Sequence, residues 1–230
     1  MTNTQFVIMA GGKEQRWGQY LGVHKHLLQV HGERLLDRTV RLLGERGAGQ
    51  VKIVARHPEY DLPGCELVFP PDLDNGGAVA SRDFWSTDAR TTVLFGDVFF
   101  TDEAMDRICA MAPSEFTAIG RSKASEITGC PYEELFGFSL LPENHARVDQ
   151  SIARVKAALA TGEIKSCGGW AIYRHLQGLP LRKHRCRHNF LDIDDFTDDF
   201  DFPEDYDRWI ERFEGRYVAP PWWQFWNRAA

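Results

Sequence analysis

The sequence has no long apolar run. None of its 230 residues lies in a stretch approaching the roughly 20 consecutive apolar residues that cross a bilayer, so no membrane-spanning helix is expected. Residues 1–12, MTNTQFVIMAGG, carry no basic region ahead of an apolar segment, so no secretory signal is expected either. Both absences favour a cytoplasmic protein with no membrane partner.

Paired cysteines are also missing. The cysteines are odd in number, widely spaced, and contain no CxxC pair. They are Cys65, Cys109, Cys130, Cys167 and Cys186. This pattern is typical of a reducing compartment and argues against a disulfide framework or a cysteine zinc site.

Positive charge is not in excess. Lys and Arg number 27 against 33 Asp and Glu, which gives a formal net charge of −6 at pH 7. Nucleic-acid binding needs a net basic surface that neutralises phosphates, so we expect no nucleic-acid partner. Hydrophobic residues make up 43% of the chain and charged residues 26%, an ordinary composition for a folded domain with a sizeable core.

Three common catalytic signatures are absent. The GK[ST] ending of a P-loop, the GxGxxG of a dinucleotide-binding turn and the GxSxG of a serine hydrolase do not occur. No Cys–His pairing suited to nucleophilic catalysis is evident either. The sequence therefore gives no sign of a nucleophilic side chain.

What is present is an alternation of two kinds of segment. Apolar, strand-like runs lie at 5–10, 51–55, 66–69, 91–96, 116–120 and 135–141, and helix-like segments at 33–46, 101–112 and 145–160. This alternation predicts a single Rossmann-like α/β domain, with a mostly parallel mixed sheet and helices on both faces.

No repeat or linker divides the chain, so we assign one domain to residues 1–218. The remaining residues, 219–230 (APPWWQFWNRAA), form a Trp-rich arm in which two prolines exclude a regular helix. Their aromatic surface would be adhesive in water. We expect the arm to pack on the domain or on a second copy in a homodimer; a lid over the acceptor is the alternative.

The first segment that could carry chemistry is VIMAGGKEQRWGQYLGVHKHLL (7–28). A buried strand ends in Ala10-Gly11-Gly12, where missing side chains let backbone N–H groups approach a phosphate. Arg16 and Lys25 follow and could neutralise a triphosphate. The glycines alone fit a tight strand–helix turn with surface charges equally well.

With the following VHGERLLDRTVRLL, this segment resembles the opening of nucleotidyltransferases that have a glycosyltransferase-A-like fold. That family includes sugar-1-phosphate nucleotidylyltransferases, cytidylyltransferases and molybdenum-cofactor guanylyltransferases. Its pattern is roughly AGGxGxRxG, then PK or DK, then a hydrophobic pair. The resemblance implies that Ala10, Gly11 and Gly12 bind the nucleotide and that Arg16 and Lys25 are catalytic.

Two residues depart from this family pattern. Glu14 replaces the third loop glycine, and His24 stands where the family has Pro or Asp. Both positions face phosphate in the family. If Arg16 and Lys25 bind the triphosphate, proline should be able to replace His24 without loss.

A second segment is TTVLFGDVFFTDEAM (91–105). Its apolar strand ends in Gly96-Asp97, which presents one carboxylate at the strand edge where ligands bind in open α/β sheets. The resemblance implies that Asp97 is catalytic and holds Mg²⁺. In the alternative interpretation Asp97 caps the next helix, a role that Asp102 fits better.

A third segment is strongly acidic. Nine acidic residues fall within 192–207. It is not an EF-hand loop, because a start at Asp192 puts Phe196 and Thr197 where that loop needs Asp or Asn and then Gly.

This acidic segment resembles the part of the family that adds the second metal carboxylate and starts a helix. Aligning on Pro203-Glu204-Asp205-Tyr206 implies Asp201 as the second catalytic Mg²⁺ ligand, with Asp199 beside it. A register that uses Asp192 and Asp194 is the alternative.

The resemblance also implies substrate-binding residues. Asn75, Gly76 and Ser81 lie where the family reads the nucleobase, although a turn without a ligand explains Asn-Gly-Gly as well.

For the acceptor, the resemblance implies Glu134 as a hydrogen-bond partner of sugar hydroxyls. Gly168 and Trp170 could line the same pocket, because aromatic faces stack on sugars. A glutamate at a surface strand end is an equally good interpretation of Glu134.

The run RKHRCRH (182–188) predicts an exposed basic strand near the acidic segment, which could contact an anionic acceptor. Zinc binding by His184, Cys186 and His188 is the less favoured interpretation, since no fourth ligand is apparent.

The resemblance implies Mg²⁺-dependent transfer of NMP from an NTP to a small phosphorylated acceptor, sugar-1-phosphate first, with release of pyrophosphate. One alternative is a glycosyltransferase of the same fold, which would show a mid-chain DxD where this chain has only Gly96-Asp97-Val98. The other is an inactive fold member that acts as a binding or assembly protein. The base of the NTP is not indicated.

Overall fold

The computed structural model of the protein describes residues 4–12, 14, 16–70, 77–166, 168–182 and 186–214. These residues form eleven strands. They are β1 (Thr4–Met9), β2 (Gln29–Val30), β3 (Glu33–Arg34), β4 (Gln50–Val54), β5 (Cys65–Val68), β6 (Arg90–Phe95), β7 (Val98–Phe99), β8 (Thr117–Arg121), β9 (Glu134–Leu140), β10 (Phe190–Asp192) and β11 (Asp198–Asp199).

Seven strands form one twisted sheet in the order β10-β8-β9-β6-β1-β4-β5. Strand β1 runs parallel to β4 and β6, and the pairs β4–β5 and β8–β10 are also parallel. Strand β9 is antiparallel to both of its neighbours, β6 and β8. The predicted mostly parallel, mixed sheet is therefore confirmed.

Six α-helices are described. They are α1 (Leu35–Glu45), α2 (Gly77–Ala80), α3 (Asp102–Ala110), α4 (His145–Ala160), α5 (Gly169–Leu176) and α6 (Pro203–Trp209). Helix α1 shows why these segments are helical, since its buried residues recur at three- and four-residue intervals and form one apolar face.

The helices cover both faces of the sheet. Side chains alternate along β1, so Val7 and Met9 enter a core that includes the buried faces of α4 and α5. Phe6 and Ile8 enter a second core with α1 and α3. The prediction of helices on both faces is confirmed.

Two short ribbons lie outside the main sheet. Strands β2 and β3 form one, and β7 pairs with β11 in the other. The β7–β11 ribbon joins the residues after β6 to the acidic segment, and the backbone N–H of Phe200 donates to the Asp97 carbonyl over 3.0 Å. Phe99 of β7 packs in a third apolar cluster with Trp17 and Trp209.

The residue that caps α3 is Thr101. Its hydroxyl accepts a hydrogen bond from the Ala104 N–H over 3.0 Å, which satisfies one of the free N–H groups of the first turn. Asp102 instead pairs with Arg38 at 3.1 Å. The start of the predicted helix at residue 101 is therefore confirmed; neither Asp97 nor Asp102 caps it, and Asp97 stays at the end of β6.

The sequence pattern misassigns the region after α4. Helix α5 was not predicted, and the described residues of the predicted basic strand, 182 and 186–188, are not in a strand. Strand β10 begins only at Phe190. His184 of the zinc alternative, the dinucleotide Asn75-Gly76 and the arm at 219–230 lie outside the described residues.

Within the part of the chain that the structure describes, no helix combines the length and the apolar character needed to cross a membrane.

Gly96 illustrates how closely the elements approach at the end of β6. A Cβ at this position would lie 2.9 Å from the Met9 carbonyl oxygen and 3.2 Å from Cδ2 of His26. We therefore expect Gly96→Ala to lower the free energy of unfolding by about 1–3 kcal/mol in urea denaturation. Gly44→Ala, in α1 with nothing within 4 Å, is the control and should stabilise by up to about 1 kcal/mol. Equal effects of the two changes would contradict this account of Gly96.

Candidate active site

The carboxyl edge of the sheet gathers most of the predicted site residues. Strand β1 ends at the Ala10–Gly12 turn and β6 ends at Gly96-Asp97. Because β9 runs in the opposite direction, its first residue, Glu134, lies at this same edge opposite Arg121 of β8. An antiparallel strand in a parallel sheet thus adds a carboxylate to the edge where ligands bind.

Four predicted catalytic residues form one continuous chain of ionic contacts. Lys25 Nζ donates to Asp97 Oδ2 and lies 3.7 Å from Asp201 Oδ1. The other oxygen of Asp201 is 2.7 Å from Arg16 Nη1. Since the hydrogen bond to Asp97 spans at most about 3.2 Å, the two carboxylate oxygens that face Lys25 lie within about 7 Å of each other.

The ionic contacts keep the central pair charged. Burial alone would lower the pKa of Lys25, but the charges of Asp97 and Asp201 outweigh it and raise the pKa above its ordinary value. Burial would raise the pKa of Asp97, but Lys25 and His26 lower it below its ordinary value. The ammonium and the carboxylate therefore both stay ionised at neutral pH.

Two further carboxylates crowd the same edge. Burial, with repulsion by Glu134 and Asp201, raises the pKa of Asp199 well above its ordinary range. Burial and Asp201 raise the pKa of Glu134 to about 7. Crowded anionic oxygens are the donors that a hard divalent cation such as Mg²⁺ prefers, so this donor set fits that ion.

The carboxylates would not enclose a metal by themselves. Among the described residues, no three His, Cys, Asp or Glu side chains converge closely enough to hold an ion. Lys25 stands between Asp97 and Asp201. Substrate and water oxygens would have to complete the coordination shell, as is usual for Mg²⁺ bound with phosphates.

Asp192 and Asp194, the metal ligands in the alternative register of the acidic segment, make their contacts outside this site. Asp192 accepts hydrogen bonds from the N–H and the hydroxyl of Ser122, both at 2.8 Å. Asp194 pairs with Lys123 at 2.6 Å on the surface. Of these acidic residues, it is Asp201 that contacts Lys25.

A cavity of about 570 Å³ opens beside the carboxylates. Glu134, Gly168 and Trp170, the three predicted acceptor-binding residues, all line it, and the Trp170 side chain hydrogen-bonds to Glu134. The cations Lys165 and Arg182 line it too. The cavity therefore combines an aromatic face, a hydrogen-bond acceptor and positive charge.

A second cavity, of about 420 Å³, lies beside the β1 turn. Ala10 and Gly12 line it together with Arg56, whose Nε donates to the Gly11 carbonyl over 2.8 Å. Predicted nucleotide-binding residue Ser81 is not brought to the site: it is fully buried, and its hydroxyl accepts a hydrogen bond from the Trp85 indole.

The two departures from the family pattern contact each other. Glu14 Oε2 lies 3.0 Å from Nδ1 of His24. His24 Nε2 is also 3.0 Å from a carboxylate oxygen of Glu59. These contacts argue against a loss-free replacement of His24 by proline.

Sequence reasoning also missed the buried support of the acidic segment. Asp198 pairs with Arg121, and the two side chains are only 1% and 4% exposed. Asp198 further accepts hydrogen bonds from Ser125 and Thr128. This network anchors β11, the strand that contains Asp199 and precedes Asp201, and no periodicity in the acidic run could have singled out Asp198.

Cations suited to phosphates lie beside carboxylates suited to a divalent ion, at the ligand-binding edge of an α/β sheet. The fold and the family model together define the class, a nucleotidyltransferase-type domain. Residues 6–162, more than half of the chain, match the family model of the MobA-like NTP transferase domain. The chain belongs to this family.

A curated relative is similar over part of the chain. The molybdenum cofactor guanylyltransferase of Xanthomonas euvesicatoria pv. vesicatoria (strain 85-10) is 39% identical over 88 residues, which cover 38% of this chain and 43% of that protein. The match thus spans less than half of the relative's length.

Solved structures share the fold. A Bacillus anthracis protein assigned as a glucose-1-phosphate thymidylyltransferase has a TM-score of 0.60 at 18% identity, covering 89% of this chain and 93% of that one. The CTP:phosphocholine cytidylyltransferase of Streptococcus pneumoniae has a TM-score of 0.56 at 13% identity, covering 91% and 98%. At these identities the likeness shows the nucleotidyltransferase fold and no more.

Proposed function

We propose that this protein transfers a nucleoside monophosphate from an NTP to a small phosphorylated acceptor and releases pyrophosphate, with Mg²⁺ as cofactor. The observation that carries the proposal is the contact chain Arg16–Asp201–Lys25–Asp97 at the sheet edge. It combines cations and carboxylates drawn from distant parts of the sequence beside the Ala10–Gly12 turn.

The reaction is a substitution at phosphorus. An oxygen of the acceptor phosphate attacks the α-phosphorus of the NTP, and the new P–O bond forms as the bond to the β-phosphate breaks. Pyrophosphate leaves with the electron pair of that bond. The acceptor phosphate is already ionised at neutral pH, so no general base is needed.

In this proposal the side chains position the phosphates and balance their charge. Lys25 and Arg16 stabilise the negative charge on the α-phosphate and on the departing pyrophosphate. Asp97 and Asp201 would hold the Mg²⁺, which when bound would supply positive charge that stabilises the transferring phosphate. The nucleoside occupies the 420 Å³ cavity lined by Ala10 and Gly12.

For the acceptor we propose a sugar-1-phosphate in the 570 Å³ cavity, a volume within the roughly 300–1,000 Å³ of small-ligand sites. Glu134 would accept hydrogen bonds from hydroxyls, and Trp170 would stack on the ring. Lys165 and Arg182 would favour its negative charge. A phosphorylated pterin is the second candidate, supported by the identity with the molybdenum cofactor guanylyltransferase.

A pyrophosphate-release screen tests the proposal. Each of the four NTPs is combined with a panel of sugar-1-phosphates, phosphocholine and molybdopterin, with Mg²⁺ or with EDTA. We expect release with one base and one acceptor class, and only with Mg²⁺. Release of free nucleotide from a nucleotide-sugar would instead favour the glycosyltransferase alternative, which the family match disfavours. Binding of NTP without turnover would favour the inactive fold member.

We expect Lys25→Ala to lower kcat/KM by about 30- to 1,000-fold, since removing one preorganised charge donor costs about 2–4 kcal/mol of transition-state stabilisation. Lys123→Ala is the matched control, because that lysine pairs with Asp194 on the surface. Steady-state kinetics with the best substrate pair measure both. A Lys25→Ala enzyme with the kinetics of the control would exclude the role of Lys25.

The cytoplasmic location and the homodimer stay predictions. Deleting 219–230, the Trp-rich arm, should lower the melting temperature or dissociate a dimer before it changes acceptor choice. Light scattering and thermal melting of the truncated protein measure these effects; altered specificity with unchanged mass and stability would favour the lid.

A further inference from the structure

Glu14 contacts both sequence neighbours of Lys25. One carboxylate oxygen lies 3.0 Å from Nδ1 of His24, and the other lies 3.3 Å from Nδ1 of His26. The Glu14 side chain is 13% exposed and that of His26 is 2% exposed, so the contact between these two is largely shielded from water, whereas His24 is 29% exposed. A single carboxylate thus bridges the residues on either side of the lysine.

The local backbone explains why such a bridge matters. Lys25 begins a single turn of 3₁₀-helix, Lys25–Leu27, and one turn of this kind has little stability of its own. Yet the Lys25 ammonium must point into a buried position to reach Asp97. Its direction therefore depends on what holds the two flanking residues.

The backbone of Glu14 holds the other cation-bearing turn. Its carbonyl accepts hydrogen bonds from the N–H groups of Trp17 and Gly18, at 3.1 and 3.2 Å. Arg16 lies within that turn and pairs with Asp201. Glu14 is consequently linked to the segments that carry both Lys25 and Arg16.

We propose that Glu14 is a positioning residue, which orients Lys25 toward the transferring phosphate by clamping His24 and His26. The inference rests on the proposed function, because it takes Lys25 as a phosphate ligand. Glu14 and His24 replace the glycine and the proline or aspartate of the family pattern as one coupled change. A glycine at position 14 has no carboxylate to form this bridge, and a proline at position 24 has no imidazole nitrogen to contact it.

The first test compares Glu14→Ala with Glu59→Ala. Glu59 is the matched control because its carboxylate contacts the outer nitrogen of the same His24, 3.0 Å away, and is half exposed. We expect Glu14→Ala to lower kcat at saturating NTP by about 10- to 100-fold, the scale of a small misplacement of a catalytic group. The KM of the acceptor should change less than about twofold, and Glu59→Ala should leave kcat within about twofold.

The kcat readout separates positioning from binding. Because Glu14 also lines the proposed nucleoside cavity, a lost nucleoside contact would raise the KM of the NTP and be overcome at saturation. A displaced Lys25 would instead lower kcat even at saturating NTP. Glu14→Gln, which keeps the volume and one acceptor oxygen, covers the case in which the alanine variant unfolds, and its kcat should fall between those of Glu14→Ala and the parent.

The second test is a double-mutant cycle with Glu14→Gly and His24→Pro. The double variant carries the family's own residues at both positions. If the two residues act together, the double variant should retain at least about tenfold more kcat than the product of the two single effects predicts. Multiplicative losses, or a kcat of Glu14→Gln and Glu14→Ala within about twofold of the parent, would overturn the proposal.

The Lys25→Ala variant distinguishes failure of the proposed role of Lys25 from failure of the Glu14 clamp alone. Unchanged activity in that variant defeats the proposed role of Lys25 and the clamp with it. A large loss in Lys25→Ala, together with unchanged kcat in the Glu14 variants, defeats the clamp alone.

Discussion

Replacing Asp97 with asparagine is expected to lower kcat by about 10³- to 10⁴-fold, or about 4–5 kcal/mol of transition-state stabilisation. Asparagine keeps the size of the side chain but removes the charge that holds the proposed Mg²⁺ and that pairs with Lys25. The measurement is kcat as a function of Mg²⁺ concentration. The half-saturating Mg²⁺ concentration should rise as well, because one anionic ligand is lost.

Asp194→Asn is the matched control, since it removes the same charge from the alternative register of the acidic segment. Asp194 pairs with Lys123 on the surface, so its loss should leave kcat within about twofold. Asp201→Asn should behave like Asp97→Asn. A large loss in Asp194→Asn with little loss in Asp201→Asn would reverse the register that we propose.

Asp198→Ala is expected to lower the free energy of unfolding by about 3–5 kcal/mol, because it leaves the Arg121 guanidinium buried without its carboxylate. The partners are 1% and 4% exposed, so water cannot replace the lost contact. Urea denaturation followed by circular dichroism measures the change. Activity should fall with it, since Asp198 begins the short strand that contains Asp199 and precedes Asp201.

Asp192→Ala provides the control for this change. Asp192 also accepts two hydrogen bonds, but from Ser122 at an exposed position, so its loss should cost less than about 1 kcal/mol. Combining Asp198→Leu with Arg121→Met should recover part of the stability, because an apolar pair leaves no buried charge. Equal costs for Asp198→Ala and Asp192→Ala would show that the buried pair is not what anchors the strand.

Six of the seven strands of the main sheet were predictable from the sequence, because its central strands are buried on both faces; the edge strand β10 was not predicted. Such strands appear as continuous apolar runs, as in 91–96, and the observed strand β6 differs from the prediction by one residue at each end. Helices α1, α3 and α4 were predictable from their apolar faces. These signals are local, so a single sequence contains them.

The sequence of helix α5 does not contain a local signal for a helix. Glycines and aromatic residues in SCGGWAIYR do not favour a helix. The segment is nevertheless helical, with Ala171, Ile172 and Leu176 buried against the sheet. Packing with distant residues decides the structure here, and that information is absent from any short window of sequence.

The site was predictable in its residue types but not in its contacts. The acidic run contains nine carboxylates that could be the second metal ligand. The pairing of β7 with β11, two residues each, brings the segment that contains Asp201 next to the end of β6. Two residue pairs are too few to leave a periodic pattern. The contact between Glu14 and His24 leaves no sequence signal either, because each residue by itself is only a departure from the family pattern.

The β7–β11 ribbon determines when the proposed site can form during synthesis of the chain. It joins β7, near the middle of the chain, to β11 about 100 residues later, so on a ribosome Arg16, Lys25 and Asp97 emerge well before Asp201. Contacts between such distant segments form late in folding. A nascent chain can assemble its first parallel strands and still lack the second proposed metal carboxylate. Nucleotide turnover would therefore begin only after the late-synthesised acidic segment has docked, which keeps partly folded chains from consuming NTP.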